Sequence, residues 1–144
     1  MNKNNPIKVV LDTNALLRTI ARTSIHKNVL DRLFDNQFEL FVSTEILFEY
    51  EEKIAQIFTQ QTAELIVGAF SLLKNVKQTN IYYNLNLISQ DQDDNKFVDC
   101  AFAANAHFLV TDDKHYNILK SVTFPKINII SLADFSALLE TTWL

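Results

Sequence analysis

The sequence contains very few of the residues that several common functional motifs require. Its single glycine, Gly68, excludes a Walker A loop and a glycine-rich dinucleotide turn, because each of these motifs needs several glycines. Its single cysteine, Cys100, cannot form an internal disulfide, and we expect it to be a small core residue. The three histidines, His26, His107 and His115, are scattered and make no zinc-ligand pattern.

Long apolar runs are missing as well. No stretch of about 18 uncharged apolar residues occurs, and the N-terminus lacks the apolar core of a signal peptide, so we expect a soluble, cytoplasmic protein without a membrane partner. A chain of 144 residues that is 48% hydrophobic fits one globular domain with a continuous core. We expect residues 1–6 to be a flexible tail and residues 7–144 to form that domain.

The charge balance is mildly acidic. Thirteen basic and 17 acidic residues give a net charge of −4, which argues against a protein whose whole surface binds nucleic acid. It does not exclude an enzyme that acts on nucleic acid, because an acidic metal site subtracts several charges while a local basic rim can still hold phosphates.

Strand-like and helix-like segments alternate along the chain. Short β-branched apolar runs predict strands at 7–13, 38–43, 107–111 and 127–131. Apolar residues at helical spacing predict helices at 28–34, 45–58, 62–74, 94–106 and 132–139. In 76–92 apolar residues alternate, which predicts a further, half-exposed strand. This order indicates an α/β fold in which helices cover both faces of a parallel sheet.

Four acidic residues lie in similar settings. Asp12 and Asp113 end apolar runs, Glu49 lies in a predicted helix, and Asp94 lies where another begins. The carboxyl ends of parallel strands meet at one edge of a sheet, so all four could gather there. Crowded carboxylates raise each other's pKa unless a cation neutralises them, and the pattern therefore indicates a magnesium site.

Each acid also has a simpler explanation when it is considered singly. Asp12 and Asp113 could cap the helices that follow them. Glu49 lies four residues before Lys53, which is the spacing of an ordinary surface ion pair on a helix. Asp94 belongs to an acidic run that suits the dipole of the next helix. Only the combination of the four favours a shared site.

Four motifs in this order resemble the PIN-domain family. They are LDTN at 11–14, STEILFE at 43–49, DQDDNKF at 91–97 and LVTDD at 109–113. The resemblance is strongest to bacterial toxins of toxin–antitoxin pairs and spans residues 7 to about 135. It implies a PIN-like three-layer α/β/α fold with strand order 3-2-1-4-5. It also implies an acidic pocket for Mg²⁺ or Mn²⁺, endonuclease activity on single-stranded RNA, a cognate antitoxin and a homodimer.

The resemblance also assigns roles to individual residues. The family's catalytic and metal-binding acids match Asp12, Glu49, Asp94 and Asp113, and supporting polar positions match Asn14 and Thr111. Two further acids are candidates for supporting roles around the pocket: Asp99, which lies about 140° around its helix from Asp94, and Asp112, an extra acid beside Asp113. Between Asp112 and Asp113, the motif favours Asp113 as the residue that faces the pocket.

The residue types allow a mechanism to be predicted. Asp12 together with Asp113 or Asp94 would bind the main cation, and Glu49 would complete the pocket or orient a water. Because no histidine lies in the four motifs, we expect the cation, and not a histidine base, to activate the attacking water. The basic residues nearest to the motifs, and therefore the candidates for a phosphate-binding rim, are Arg18, Arg22, Lys96 and Lys114.

Two other classes of function remain open at this point. One is a PIN-like interaction scaffold without nuclease activity. The other is a different magnesium-dependent α/β phosphohydrolase or phosphoacceptor domain. Haloacid-dehalogenase phosphatases carry two aspartates where this chain has Asp12 and Asn14, and receiver domains need a late strand-end lysine that the sequence does not show.

Overall fold

The computed structural model describes residues 5–89 and 91–142 and contains a five-stranded parallel sheet. The strands are β1 (Lys8–Leu11), β2 (Glu39–Val42), β3 (Val76–Gln78), β4 (Phe108–Val110) and β5 (Ile129–Ile130). Their order across the sheet is β3-β2-β1-β4-β5, and every neighbouring pair is parallel. The predicted α/β fold and the strand order that the resemblance implied are confirmed.

Helices occupy most of the remaining chain. The α-helices are α1 (Thr13–Ile20), α2 (Lys27–Phe34), α3 (Thr44–Ile57), α4 (Gln60–Leu72), α5 (Asn95–Ala103) and α6 (Leu132–Thr142). Short 3₁₀ helices cover Gln92–Asp94 and Lys114–Ser121. Helix α5 packs on β1, β2 and β4, while α1 contacts α2 and α3, and α3 packs on α4. The helices cover both faces of the sheet and give the three-layer α/β/α arrangement.

The central strands are almost completely buried, as expected of a sheet that is covered on both faces. Val9, Val10 and Leu11 of β1 are each at most 1% exposed, and they belong to one continuous core. Cys100 lies in the same core and is fully buried, as its composition suggested. No helix within residues 5–89 and 91–142 is long and apolar enough to cross a membrane.

The prediction of a strand over 76–92 is wrong beyond Gln78. Residues 79–88 have no regular structure, although Ile81, Leu85 and Leu87 of the alternating set are still partly buried. Side chains of α5 take the backbone bonds that a neighbouring strand would need: the amide of Leu85 donates to Asp99 Oδ1 (3.0 Å) and that of Ile88 to Asn95 Oδ1 (2.9 Å). Asn86 also adopts a left-handed conformation (φ 52°), which interrupts the extended run.

The other predicted elements agree with the structure to within a few residues at their ends. Helix α1 was not among the helices predicted from apolar spacing, but it follows Asp12 directly, as the capping alternative required. Of the predicted tail at residues 1–6, residues 1–4 lie outside the part of the chain that is described.

Candidate active site

Six acidic residues line one cavity of about 190 Å³ at the carboxyl edge of the sheet: Asp12, Glu49, Asp91, Asp93, Asp94 and Asp113. We call this cavity the acidic pocket. Thr13, Asn14, Lys53 and Phe97 complete its lining. The fold thus brings together all four acids that the sequence singled out, and it adds Asp91 and Asp93, which sequence reasoning had assigned only to the helix dipole.

Asp12 is the most deeply buried acid of the pocket, with 5% of its surface exposed. Its amide still donates to Val110 O (3.1 Å), so it lies where β1 and β4 separate. Oδ1 accepts from the amide of Ala15 (2.7 Å), and Oδ2 accepts from the hydroxyl of Thr111. Asp12 therefore caps α1 and lines the pocket at the same time, so the capping explanation and the site do not compete.

The pKa of Asp12 is raised to about 6. Burial is the main cause, the hydrogen bonds from Thr111 and Ala15 oppose it, and the charges of Asp113 and Asp94 raise the pKa further. The pKa of Asp94 is also raised, first by burial and then by the charge of Asp91. Burial, together with the charges of the neighbouring acids, therefore disfavours the ionised forms of Asp12 and Asp94.

Glu49 is held by two donors on different elements. The hydroxyl of Thr13 donates to Oε2, and Lys96 Nζ lies 2.8 Å from Oε1. Tyr50, the next residue of α3, is fully buried and donates to Leu11 O (2.6 Å), which fixes this part of α3 against the end of β1. The predicted surface pair with Lys53 does not form, because Lys53 lies instead 3.9 Å from Glu52.

We expect the replacement of Lys96 by glutamine to lower the free energy of unfolding by about 2 kcal/mol, because it removes the cation from a carboxylate that is only 22% exposed. The matched control is Lys53→Gln, since Lys53 is 45% exposed and makes only a long contact, and we expect it to change stability by less than about 0.5 kcal/mol. Urea unfolding of the three metal-free proteins measures both values. Equal effects of the two changes would contradict the assigned role of Lys96.

Asp112 and Asp113 point to different neighbours. Asp112 accepts from the amide of Leu132 (3.2 Å) at the start of α6 and pairs with Arg18. Asp113 lines the acidic pocket, and its amide donates to Thr111 Oγ1 (3.0 Å). Thr111 thus connects Asp12 and Asp113, while Asp112 connects α1 to α6.

The structure places a histidine at the pocket, which sequence reasoning did not foresee. His115 Nδ1 lies 3.5 Å from Asp94 Oδ2 and 3.5 Å from Asp113 Oδ1. The feature of the sequence that could have predicted this is the position of His115 two residues after Asp113. Asp91, Asp94 and His115 offer ligand atoms that all lie within 4.8 Å of one another. No histidine lies within the four motifs, but the fold brings His115 to the acids that two of them supply.

Two buried atoms at this point make no hydrogen bond with the described residues: Asp94 Oδ2 and His115 Nδ1. The two atoms lie 3.5 Å from each other. Buried polar atoms that make no hydrogen bond are costly, and a cation bound between them would satisfy both. The carboxylate oxygens around them are the donors that Mg²⁺ and Mn²⁺ prefer. The residues of the acidic pocket therefore fit a divalent cation.

The remaining predicted residues lie around the pocket or beside it. Asn14 lines the pocket with its side chain exposed, and Arg22 is exposed after α1. Lys114 lines a neighbouring cavity that shares Asp113 with the pocket. Asp99 does not line the acidic pocket; it is 5% exposed and lines a different cavity together with Lys96.

Comparison with known proteins agrees with this architecture. Residues 8–115 match the family model described as a PIN domain. An uncharacterized protein of Methanocaldococcus jannaschii is 30% identical over 134 residues, which cover 88% of this chain and 84% of the relative. The chain belongs to the PIN-domain family, as its motifs predicted.

Two solved structures share the fold. VapBC2 from Rickettsia felis, bound to a DNA fragment from its promoter, has a TM-score of 0.60 at 18% identity and covers 87% of this chain and 98% of that one. Mycobacterium tuberculosis VapC20, described as a sarcin–ricin loop cleaving toxin, has a TM-score of 0.55 at 11% identity and covers 76% and 93%. At identities of 18% and 11%, the likeness to these two structures shows a shared fold alone.

Proposed function

We propose that the protein is a divalent-metal-dependent endoribonuclease that hydrolyses phosphodiester bonds of single-stranded RNA, with Mg²⁺ or Mn²⁺ as its cation. The observation that carries the proposal is the acidic pocket, in which Asp12, Glu49, Asp94 and Asp113 meet at the sheet edge of a PIN-family fold. Family membership supports a nuclease over the alternative of a phosphatase or phosphoacceptor domain.

Asp12, Asp94 and Asp113 are the residues that would hold the cation. Asp94 Oδ2 makes no hydrogen bond with the described residues and has His115 Nδ1 3.5 Å away, and the oxygens of Asp12 keep unused lone pairs beside the hydrogen bonds that fix them. A divalent cation bound there supplies positive charge to the phosphoryl oxygens and acidifies a bound water. His115, whose Nδ1 faces Asp94 and Asp113, could contribute a further ligand.

Glu49 has a different role in this proposal. Both of its oxygens already accept hydrogen bonds or an ion pair, from Thr13 and Lys96, so its position is fixed before substrate binds. A carboxylate fixed at the rim of the pocket can accept a hydrogen bond from the attacking water and orient it toward the phosphate. Lys53 and Lys114, at and beside the pocket, are placed to attract substrate phosphates.

We also propose that the chain is the cytoplasmic toxin of a toxin–antitoxin pair, with an antitoxin protein as partner, and that it forms a homodimer. The structural likeness to the VapBC2 complex and to VapC20 supports this assignment, as does the resemblance of the four motifs. Co-purification with the product of a neighbouring open reading frame would test the partner.

Thr111 offers a test of how the pocket positions its acids. Thr111→Val removes the hydroxyl that donates to Asp12 and accepts from the amide of Asp113. We expect RNA cleavage to fall about 10–100-fold, as for other groups that orient metal ligands. We expect stability to fall by roughly 1 kcal/mol. Thr123→Val, at an exposed threonine, is the matched control, and an equal loss of cleavage in both variants would refute the positioning role.

The proposed activity is tested by incubating the purified protein with end-labelled single-stranded RNA in Mg²⁺, Mn²⁺ or EDTA and resolving the products on a gel. We expect internal cuts with either metal and none in EDTA. The scaffold alternative predicts no cutting in any of the three, and cutting that persists in EDTA would contradict metal dependence.

A further inference from the structure

A second cavity, of about 280 Å³, lies beside the acidic pocket at the ends of β2 and β3. We call it the side cavity. Its walls are the first residues of α3, the irregular segment after β3, and the side chains of Lys96 and Asp99 on α5. The groups that line it are mainly hydroxyls, amides and carboxylates, from residues that include Thr79, Asn80, Asn84 and Glu45. Such a lining suits a flat polar ligand more than an apolar one.

The side cavity and the acidic pocket have no lining residue in common, but an ion pair and a smaller cavity link their walls. Lys96 lines the side cavity, and its Nζ is 2.8 Å from Glu49, which lines the acidic pocket. A smaller cavity of about 160 Å³ shares Lys96 and Asp99 with the side cavity and shares Asp93 with the acidic pocket. A polymer whose backbone crosses the acidic pocket could therefore place a neighbouring unit in the side cavity.

Asp99 is the most unusual group in this wall. It is a carboxylate with 5% of its surface exposed, and the amide of Leu85 (3.0 Å) is its hydrogen-bond donor among the described residues. No described lysine, arginine or histidine pairs with it, since Lys96 pairs with Glu49. Burial raises its pKa, and the charge of Glu45 adds to this effect, while the Leu85 hydrogen bond opposes it. A ligand that donates hydrogen bonds here would relieve this cost.

Two exposed aromatic residues belong to the segment that lines the same cavity. Tyr82 and Tyr83 are 79% and 71% exposed, and in sequence they lie between Ile81 and Asn84, both of which line the side cavity. Large exposed aromatic side chains next to a polar cavity are the usual partners of unstacked bases in single-stranded RNA. The segment that failed to form a strand thus presents the groups that a base-binding site needs.

We propose that the side cavity binds one nucleobase of the RNA substrate, adjacent to the cleavage position, and that it prefers guanine. Guanine carries two neighbouring donors, N1–H and the N2 amino group, which match the two oxygens of a carboxylate such as Asp99. Adenine and cytosine offer one exocyclic amino group, and uracil offers one imino N–H, so each leaves part of the carboxylate unpaired. The inference rests on the proposed function for its substrate class, and it assigns Asp99 and the two tyrosines to substrate recognition.

Binding is measured by fluorescence anisotropy with labelled single-stranded hexanucleotides that carry one guanosine, inosine, adenosine or uridine in an otherwise identical sequence. The Asp12→Asn protein is used, because the proposed function predicts that it leaves the RNA intact. We expect the guanosine oligonucleotide to bind about tenfold more tightly than the other three. Inosine keeps N1–H and lacks the amino group, so it reports on the second donor alone.

The further change Asp99→Asn should abolish this preference, because the amide keeps the oxygen that accepts from Leu85 and replaces the other acceptor by a donor. Tyr82 is exposed and does not belong to the core. Tyr82→Ala should therefore weaken the binding of all four oligonucleotides equally, by about tenfold. Circular dichroism of each variant checks that the fold is kept.

Equal binding of the four oligonucleotides, binding of none of them, or a guanosine preference that survives Asp99→Asn would each overturn the inference. If the guanosine preference is found but the parent protein does not cut RNA with Mg²⁺, the base site stands and the proposed nuclease function fails. If the parent protein cuts RNA with Mg²⁺ at sites without any base preference, the proposed nuclease function stands and the base site fails.

Discussion

The Asp12→Asn protein is expected to cut single-stranded RNA about a thousandfold more slowly than the parent, and to remain folded. A loss of this size corresponds to about 4 kcal/mol of transition-state stabilisation, which is within the range that a bound metal supplies. Asp12 is the acid that the structure fixes most firmly, through the amide of Ala15 and the hydroxyl of Thr111. Removing its charge takes away a central ligand while the change in shape is small.

The asparagine should keep the local structure, because its side-chain oxygen can still accept from the amide of Ala15 and cap α1. Its amide group can donate to Thr111 Oγ1, so the buried polar atoms keep partners. Asp31→Asn, at an exposed position on α2, is the matched control and should cut at the rate of the parent. Rates come from labelled RNA resolved on gels at saturating Mg²⁺. An Asp12→Asn protein that cuts as fast as the parent would refute the assignment.

The same substitution is expected to change how stability depends on pH. The pKa of Asp12 is raised, chiefly by burial, from 3.8 to about 6, so the folded protein binds this proton more tightly than the unfolded chain does. The stabilisation that protonation gives is fully present below pH 3.8 and is lost as pH rises through about 6. The complete loss is about 3 kcal/mol, of which about 1.5 kcal/mol falls between pH 5 and pH 8.

Urea unfolding of the metal-free parent and of Asp12→Asn at pH 5, 6.5 and 8 isolates this contribution as the difference between the two proteins. We expect the free energy of unfolding of the variant to increase relative to that of the parent as pH rises. At pH 8 the variant should be the more stable protein. Saturating Mg²⁺ should reverse the order at pH 8, because the cation stabilises the ionised carboxylate that the variant lacks. A difference that is constant from pH 5 to pH 8 would contradict the raised pKa.

Much of the fold could be predicted because its signals are local. The apolar runs that became β1 and β4 are buried at successive residues, and alternate residues of β2 are fully buried. Such strands are conspicuous in a sequence that is otherwise largely helical. The segment after Gln78 was mispredicted because its alternation of apolar side chains does reflect burial, while its backbone bonds go to Asp99 and Asn95, which are distant in the sequence. Periodicity records which side chains are buried and not where backbone groups find partners.

The site was harder to predict than the fold. The four acids could be singled out because strand ends and helix starts have recognisable signals, and these positions converge at one sheet edge. The pairing of Glu49 with Lys96, and the approach of His115 to Asp94, depend on tertiary packing between elements far apart in the chain. The position of Asp99 in a separate cavity follows from the course of the irregular segment, which no local pattern revealed.

The central claim is that the gathered carboxylates form a divalent-cation site that depends on Asp12. Calorimetric titration of Mg²⁺ and Mn²⁺ into the parent, Asp12→Asn and Asp31→Asn at pH 7.5 tests it most directly, and it needs no knowledge of the RNA target. The account predicts saturable binding to the parent and to Asp31→Asn, and affinity at least a hundredfold weaker for Asp12→Asn, by about 3 kcal/mol. Equal binding by all three proteins, or no binding by the parent, would contradict it.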